Sequence, residues 1–283
     1  MNAAHLSLAE HAARLRRREL TAVALVETCA QNHARTEHRL NAYKTWDGAR
    51  ARSAAEAVDT LLDQGMDLGP LMGLPVSVKD LYGVPGLPVF AGSDEALPEA
   101  WQAAGPLVAR LQRQLGIVVG KTHTVEFAFG GLGVNAHWGT PRNPWSPHEH
   151  RVPGGSSAGA GVSLVQGSAL LALGTDTAGS VRVPASMTGQ VGLKTTVGRW
   201  PVEGIVPLSS SLDTAGLLTR TVEDLAYAFA ALDPESQGLP APAPVPLQGL
   251  RVGVPTNHFW DDIDPSIAAA VEAAVQRLAQ AGA

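Results

Sequence analysis

Apolar and polar positions along this chain follow two rhythms. Residues 9–18, AEHAARLRRR, place apolar positions at helical spacing behind Ser7, which can cap a first helix. A longer helical stretch runs from Thr21 to His38, and a third covers residues 49–65 and stops at Gly65, a residue type that ends helices. From there the texture changes. The short apolar runs GLPVSVKD (73–80), IVVGKT (117–122) and ALLALGTD (169–176) read as strands. Between them PLVARLQRQLG (106–116), with Pro106 in its first turn, and the small-residue stretch SSAGAGVSLVQG (156–167) read as helices. Thr221 and Asp224 stand at capping-box spacing at the head of a helix over 221–233.

Strand, helix, strand in this order predicts an α/β fold, a mostly parallel or mixed central sheet covered by helices on both faces. The Pro-rich stretch 234–249 reads as an extended connector, and no internal repeat is visible. LRVGVP (250–255) then predicts a new strand, followed by a long helix from Asp264 and Pro265 to near Gly282. A strand and its crossover helix normally lead back into the sheet, so the pattern reads as part of a longer protein.

Composition narrows the function classes. The chain has 283 residues, 45% hydrophobic and 17% charged, enough for one large core or two modest ones. A net charge of −5 gives no electrostatic reason to expect nucleic acid or an anionic membrane, and RLRRRE (14–19) reads as a solvated helix face. Cys29, the one cysteine, has no partner for an internal disulfide, and the first residues carry charges where a signal peptide needs an apolar core. Both point to the cytoplasm. No run of about 18 apolar residues suggests a membrane span.

Three short motifs invite chemical readings. GIVVGKT (116–122) has three residues between its glycines where a phosphate loop has four, and Ile-Val-Val is strand-like. GSSAG (155–159) fits a nucleophile elbow at Ser157, with Asp213 and His258 following in order, but the preceding HEHRVPG is a polar loop rather than an apolar strand. HEH (148–150) reads as an exposed loop, because no third metal ligand stands at a recognisable spacing.

The remaining constellation is GLPVSVKD, PGGSSAGAG and GTDTAGSVRVPA. Lys79, one of four lysines against seventeen arginines, ends an apolar strand. An isolated ammonium entering a core must be paired or lose its proton, which makes it a base, although a strand-end lysine can also reach solvent. Ser180 precedes a helical stretch, where unpaired amides suit an oxyanion. Ser156 and Ser157 alone would be ordinary helix caps.

Together with GKTHTVEFAFGG, GTPRNPW, GLKTTVGR and SLDTAG, these motifs resemble the amidase signature family from about Gly73 to Asp224. The resemblance implies a triad of Lys79 as ultimate base, Ser156 as bridging serine after a cis Gly155-Ser156 bond, and Ser180 as nucleophile. The two serines lie 24 positions apart, as in the family. It implies a turn whose amides at Thr177, Ala178, Gly179 and Ser180 face the substrate carbonyl, with Asp176 and Arg182 in support. Ala178 departs from the glycine common there, which would strain the turn if that position needed a positive φ. The activity implied is hydrolysis of a small-molecule amide to carboxylate and ammonia or amine. A tRNA-dependent amidotransferase subunit or a catalytically silent scaffold of the same fold are the alternatives. No cofactor, metal, nucleic acid or membrane is expected, and a homodimer is left open. The change of pattern at Gly65 divides the chain into an N-terminal helical segment, 1–64, and the α/β core, 65–283, and the resemblance implies that the family's C-terminal part is absent.

Overall fold

Capping chemistry sets the first helices. In the computed structural model, which describes residues 6–236 and 244–283, Ser7 Oγ accepts the Glu10 N–H at the head of α1 (Leu8–Arg16). Thr21 Oγ1 does the same for Ala24 in α2 (Ala22–Leu40), which ends at Asn41 in the left-handed conformation. A strand absent from the sequence reading, β1 (Tyr43–Trp46), precedes α3 (Gly48–Asp63). The two compact units are Met1–Ala241 and Pro242–Ala283.

The first unit is built on six strands, β1, β2 (Pro75–Lys79), β3 (Ile117–Thr122), β4 (Leu171–Asp176), β5 (Val191–Lys194) and β6 (Thr214–Thr219), in the order β1-β3-β2-β4-β6-β5. The three predicted strands form the parallel centre, while β1 runs antiparallel to β3, and β6 runs antiparallel to both β4 and β5. The sheet is therefore mixed. From β4 the chain passes through α6 (Arg182–Thr188) to β5, which keeps the direction of β4. It then returns through a long loop instead of a helix, so β6 enters the gap between them the other way round. The short β5 and the Thr-bounded β6 are additions to the predicted elements.

Helices cover both faces because alternate strand residues point to opposite sides. Ala172 and Leu218 pack with Ala160 and Leu164 of α5 (Ala158–Gln166) and Val181 and Ala185 around α6. Val76, Val78, Leu173 and Leu217 belong to the larger cluster, which includes residues of α1, α2, α3, α4 (Pro106–Arg113) and α7 (Val222–Leu232). In α7 the Thr221 hydroxyl accepts the Asp224 N–H, but the Asp224 carboxylate accepts the Leu8 N–H at 2.6 Å instead of closing the capping box. That bond ties α7 to the head of α1.

Small residues let α5 sit close to the strand ends. A Cβ at Gly159 would lie 2.0 Å from the Ala42 carbonyl oxygen and 2.7 Å from the His123 nitrogen, both backbone atoms. Only glycine fits there, and the approach sets where Ser156 and Ser157 lie.

In the second unit, α8 (Pro265–Gln280) is capped by Asp264, which accepts the Ser266 N–H, and none of its residues is buried. LRVGVP does not form the predicted strand. A strand exists through ladder bonds to a neighbour, and among the described residues nothing pairs with this one. Of the Pro-rich stretch 234–249, residues 237–243 lie outside the described residues, as do residues 1–5.

Candidate active site

Lys79 ends β2, and its whole side chain is buried. Its Nζ donates to Ser156 Oγ and to Thr175 Oγ1, each at 2.7 Å. Burial pushes the amine down to about 7 against the attraction of Asp176 and Asp213, so near neutral pH both protonation states are populated. The sequence alternative of a lysine reaching solvent is not what the structure shows.

The Gly155-Ser156 peptide is cis, as the resemblance implies, and the Ser156 carbonyl accepts the Val125 N–H. Ser157, the elbow candidate, is buried and donates to the Thr175 carbonyl at 3.3 Å, at the start of α5 rather than after a strand. Its N–H donates to the Ser180 carbonyl at 3.1 Å, which holds the Ser156-Ser157 segment against the turn leaving β4. His148 and His150 stand in an exposed loop, and GIVVGKT lies mainly in β3, as its strand-like residues predict.

Ser180 is 8% exposed, and its Oγ makes no hydrogen bond among the described residues. No hydrogen bond joins it to Ser156 Oγ. Asp176, fully buried at the end of β4, organises the turn around it. One carboxylate oxygen accepts Gly179 N–H at 2.8 Å and Arg182 Nη2 at 2.9 Å, and the other accepts the amides of Val181 and Arg182 together with Arg182 Nε. Burial opposes its charge, but the guanidinium and these amides outweigh burial and hold the carboxyl below its usual range.

Two expectations about this turn change. The Gly179 amide is engaged by Asp176, which leaves Thr177, Ala178 and Ser180 as amides that make no hydrogen bond among the described residues. Positive φ falls at Gly179, at 126°, and not at Ala178, so alanine is accommodated without strain.

Thr175 escaped the sequence reading of this site, and Asp213 entered it only as the acid of the elbow reading and within SLDTAG. Asp213 accepts Thr177 Oγ1 at 2.5 Å and the amides of Leu208 and Ser209, joining the turn to the loop before β6. A polar residue facing back from a strand exit, as Thr175 does, is the signal that could have found it. A cavity of about 180 Å³ opens beside these residues, lined by Leu81, Thr175, Thr177, Ile205, Leu208 and Asp213 among others. Its walls are mainly apolar, with few polar groups converging on it, as in sites for small ligands.

The chain as a whole resembles known proteins. The chain is 96% identical over 283 residues to the 2-amino-5-chloromuconic acid deaminase of Comamonas testosteroni, covering all of this chain and 61% of that protein. It is 42% identical to an amidase of Pseudomonas putida, over 98% of this chain and 60% of the other. The solved structure of native peptide amidase from Stenotrophomonas maltophilia superposes with a TM-score of 0.82 at 30% identity, over 99% of this chain and 60% of that one. The chain thus spans about three fifths of the proteins it matches. A sequence profile described as Amidase matches residues 24–283, and with that match over nearly the whole α/β unit, the chain belongs to the Amidase family.

Proposed function

We propose that this chain carries the catalytic triad of an enzyme that hydrolyses a C–N bond and releases ammonia, with Lys79, Ser156 and Ser180 as its working groups. The observation that carries the reading is the 2.7 Å contact between a buried, proton-depleted lysine and Ser156, whose neighbour Ser157 donates its N–H to the carbonyl of Ser180, a serine whose hydroxyl makes no hydrogen bond among the described residues.

On an amide, Ser180 Oγ attacks the carbonyl carbon, and its proton passes through Ser156 Oγ to neutral Lys79 Nζ. The amides of Thr177, Ala178 and Ser180 are the groups that stabilise the oxyanion. The proton returns from Lys79 through Ser156 to the departing nitrogen, ammonia leaves, and water hydrolyses the ester to carboxylate and free Ser180. Asp176 and Arg182 hold the turn, and Asp213 anchors it through Thr177. The engaged Gly179 amide serves the turn's shape.

The substrate proposed first is the one named for the Comamonas testosteroni relative, 2-amino-5-chloromuconic acid, because that protein differs at so few positions. Removal of its amino group and hydrolysis of a primary amide share ammonia as leaving group. Cys29, buried and with its thiol pushed up to about 12 by burial, suits a reducing compartment, and we place the protein in the cytoplasm. The test is ammonia release from 2-amino-5-chloromuconic acid, acetamide, benzamide, indoleacetamide and glutamine. The highest kcat/KM is expected for the first. A clear preference for glutamine would instead favour an amidotransferase subunit, and release from none a silent scaffold.

A further inference from the structure

A second buried lysine lies one strand from the first. Lys121 of β3 is fully buried, its Nζ 2.9 Å from Asp80 Oδ1, and Asp80 directly follows Lys79. The other Asp80 oxygen accepts the Phe90 N–H at 3.1 Å, and the Lys121 ammonium reaches toward the Pro88 carbonyl. These partners are on the side of the sheet away from α5, whereas Lys79 turns to Ser156 at the start of α5.

The pairing of β2 with β3 explains the separation. Pro75 stands opposite Ile117 and Val76 opposite Val118, but the register then shifts, so that Ser77 faces Gly120, Val78 faces Lys121 and Lys79 faces Thr122. Val119 is the extra residue of a bulge. Without that shift the same count would set Lys79 opposite Lys121, two lysines on one face of the sheet. Paired residues in parallel strands share a face, so a one-residue slip exchanges the faces of everything beyond it.

Resting on the triad reading above, we infer that Asp80 and Lys121 are positioning residues: their buried ion pair holds the bulged register of β3, so that Lys79 alone faces Ser156. Desolvating two charges makes such a pair a weak source of stability, and registry is the best-attested use of one. An apolar pair of similar volume packs equally well in either register, whereas Asp80 and Lys121 meet only in the bulged one.

The test compares Asp80→Asn, Lys121→Met and the double variant Asp80→Leu/Lys121→Met with the wild type. Each is followed by thermal midpoint, kcat, KM and the rate of Ser180 labelling by a fluorophosphonate. The single variants are expected to lose stability, since each leaves a buried charge without its counter-charge. The double variant should recover the wild-type midpoint while kcat and the labelling rate stay down by about 10²-fold at little-changed KM, the signature of a misaimed base. Recovery of midpoint, kcat and labelling together in the double variant would overturn the inference and leave the pair a packing feature. If the wild type itself labels elsewhere than Ser180, the triad reading fails instead, so the two failures are distinguishable.

Discussion

In the proposed mechanism, the chemistry at the residue scale turns on one proton acceptor. Lys79 works as a base only when neutral, so with its amine pushed down to about 7 by burial, kcat/KM should rise with pH through about 7 and level off above. A profile flat between pH 6 and 9 in steady-state kinetics would contradict that role. The same shift has a consequence for stability. Between the folded value and the ordinary lysine value near 10.5, the unfolded chain binds the extra proton, so this group's contribution to stability rises with pH across that window. Lys79→Met should therefore raise the thermal midpoint relative to wild type more at pH 6 than at pH 10, even as it abolishes turnover. Asp176 works through the turn. Asp176→Asn removes the charge that holds Arg182 and sets an amide donor among backbone donors, so kcat/KM should fall by about 10²-fold and the thermal midpoint with it. Kinetics and melting measured on the same preparation check both.

At the scale of elements, the site depends on how closely α5 approaches the ends of β1 and β3. Gly159→Val would drive a side chain into the Ala42 carbonyl and the His123 nitrogen, backbone atoms that cannot rotate away. The expected cost is about 3 kcal/mol or more, visible in denaturant unfolding, with a loss of activity beyond the loss of folded protein because Ser156 shifts. The hydrophobic pattern marked α5 as a helix, and its small residues are what such an approach requires, but which backbone they meet is a tertiary fact. The central strands were legible because they are uninterrupted apolar runs, as strands buried on both faces must be. β1 and β5 were not, being four residues each and only partly buried. LRVGVP shows the converse: strand-like composition yields no strand where no ladder partner exists among the described residues.

For the whole molecule, the order of strands carries what the sequence could not express. Helix and strand alternation predicted parallel neighbours, and β4, α6 and β5 obey it in direction, yet β6 lies between the two strands. That insertion brings the loop before β6 back to the turn after β4, where Asp213 meets Thr177. Asp213 in the SLDTAG motif and Thr177 in the turn were each visible while their pairing was not, since 36 residues and a strand crossing separate the two. Lys79, Ser156 and Ser180 were singled out only through the family's spacing and remain the proposed triad, because a strand-end lysine and two loop serines announce nothing singly. Fluorophosphonate labelling with peptide mapping, run across pH on the wild type and Lys79→Ala, asks directly whether Ser180 is the nucleophile and Lys79 its base. The Lys79–Ser156–Ser180 mechanism predicts a single adduct on Ser180, formed at a rate that rises through about pH 7 and collapses in Lys79→Ala. An adduct on Ser157, or a Ser180 rate indifferent to both pH and Lys79, would contradict it.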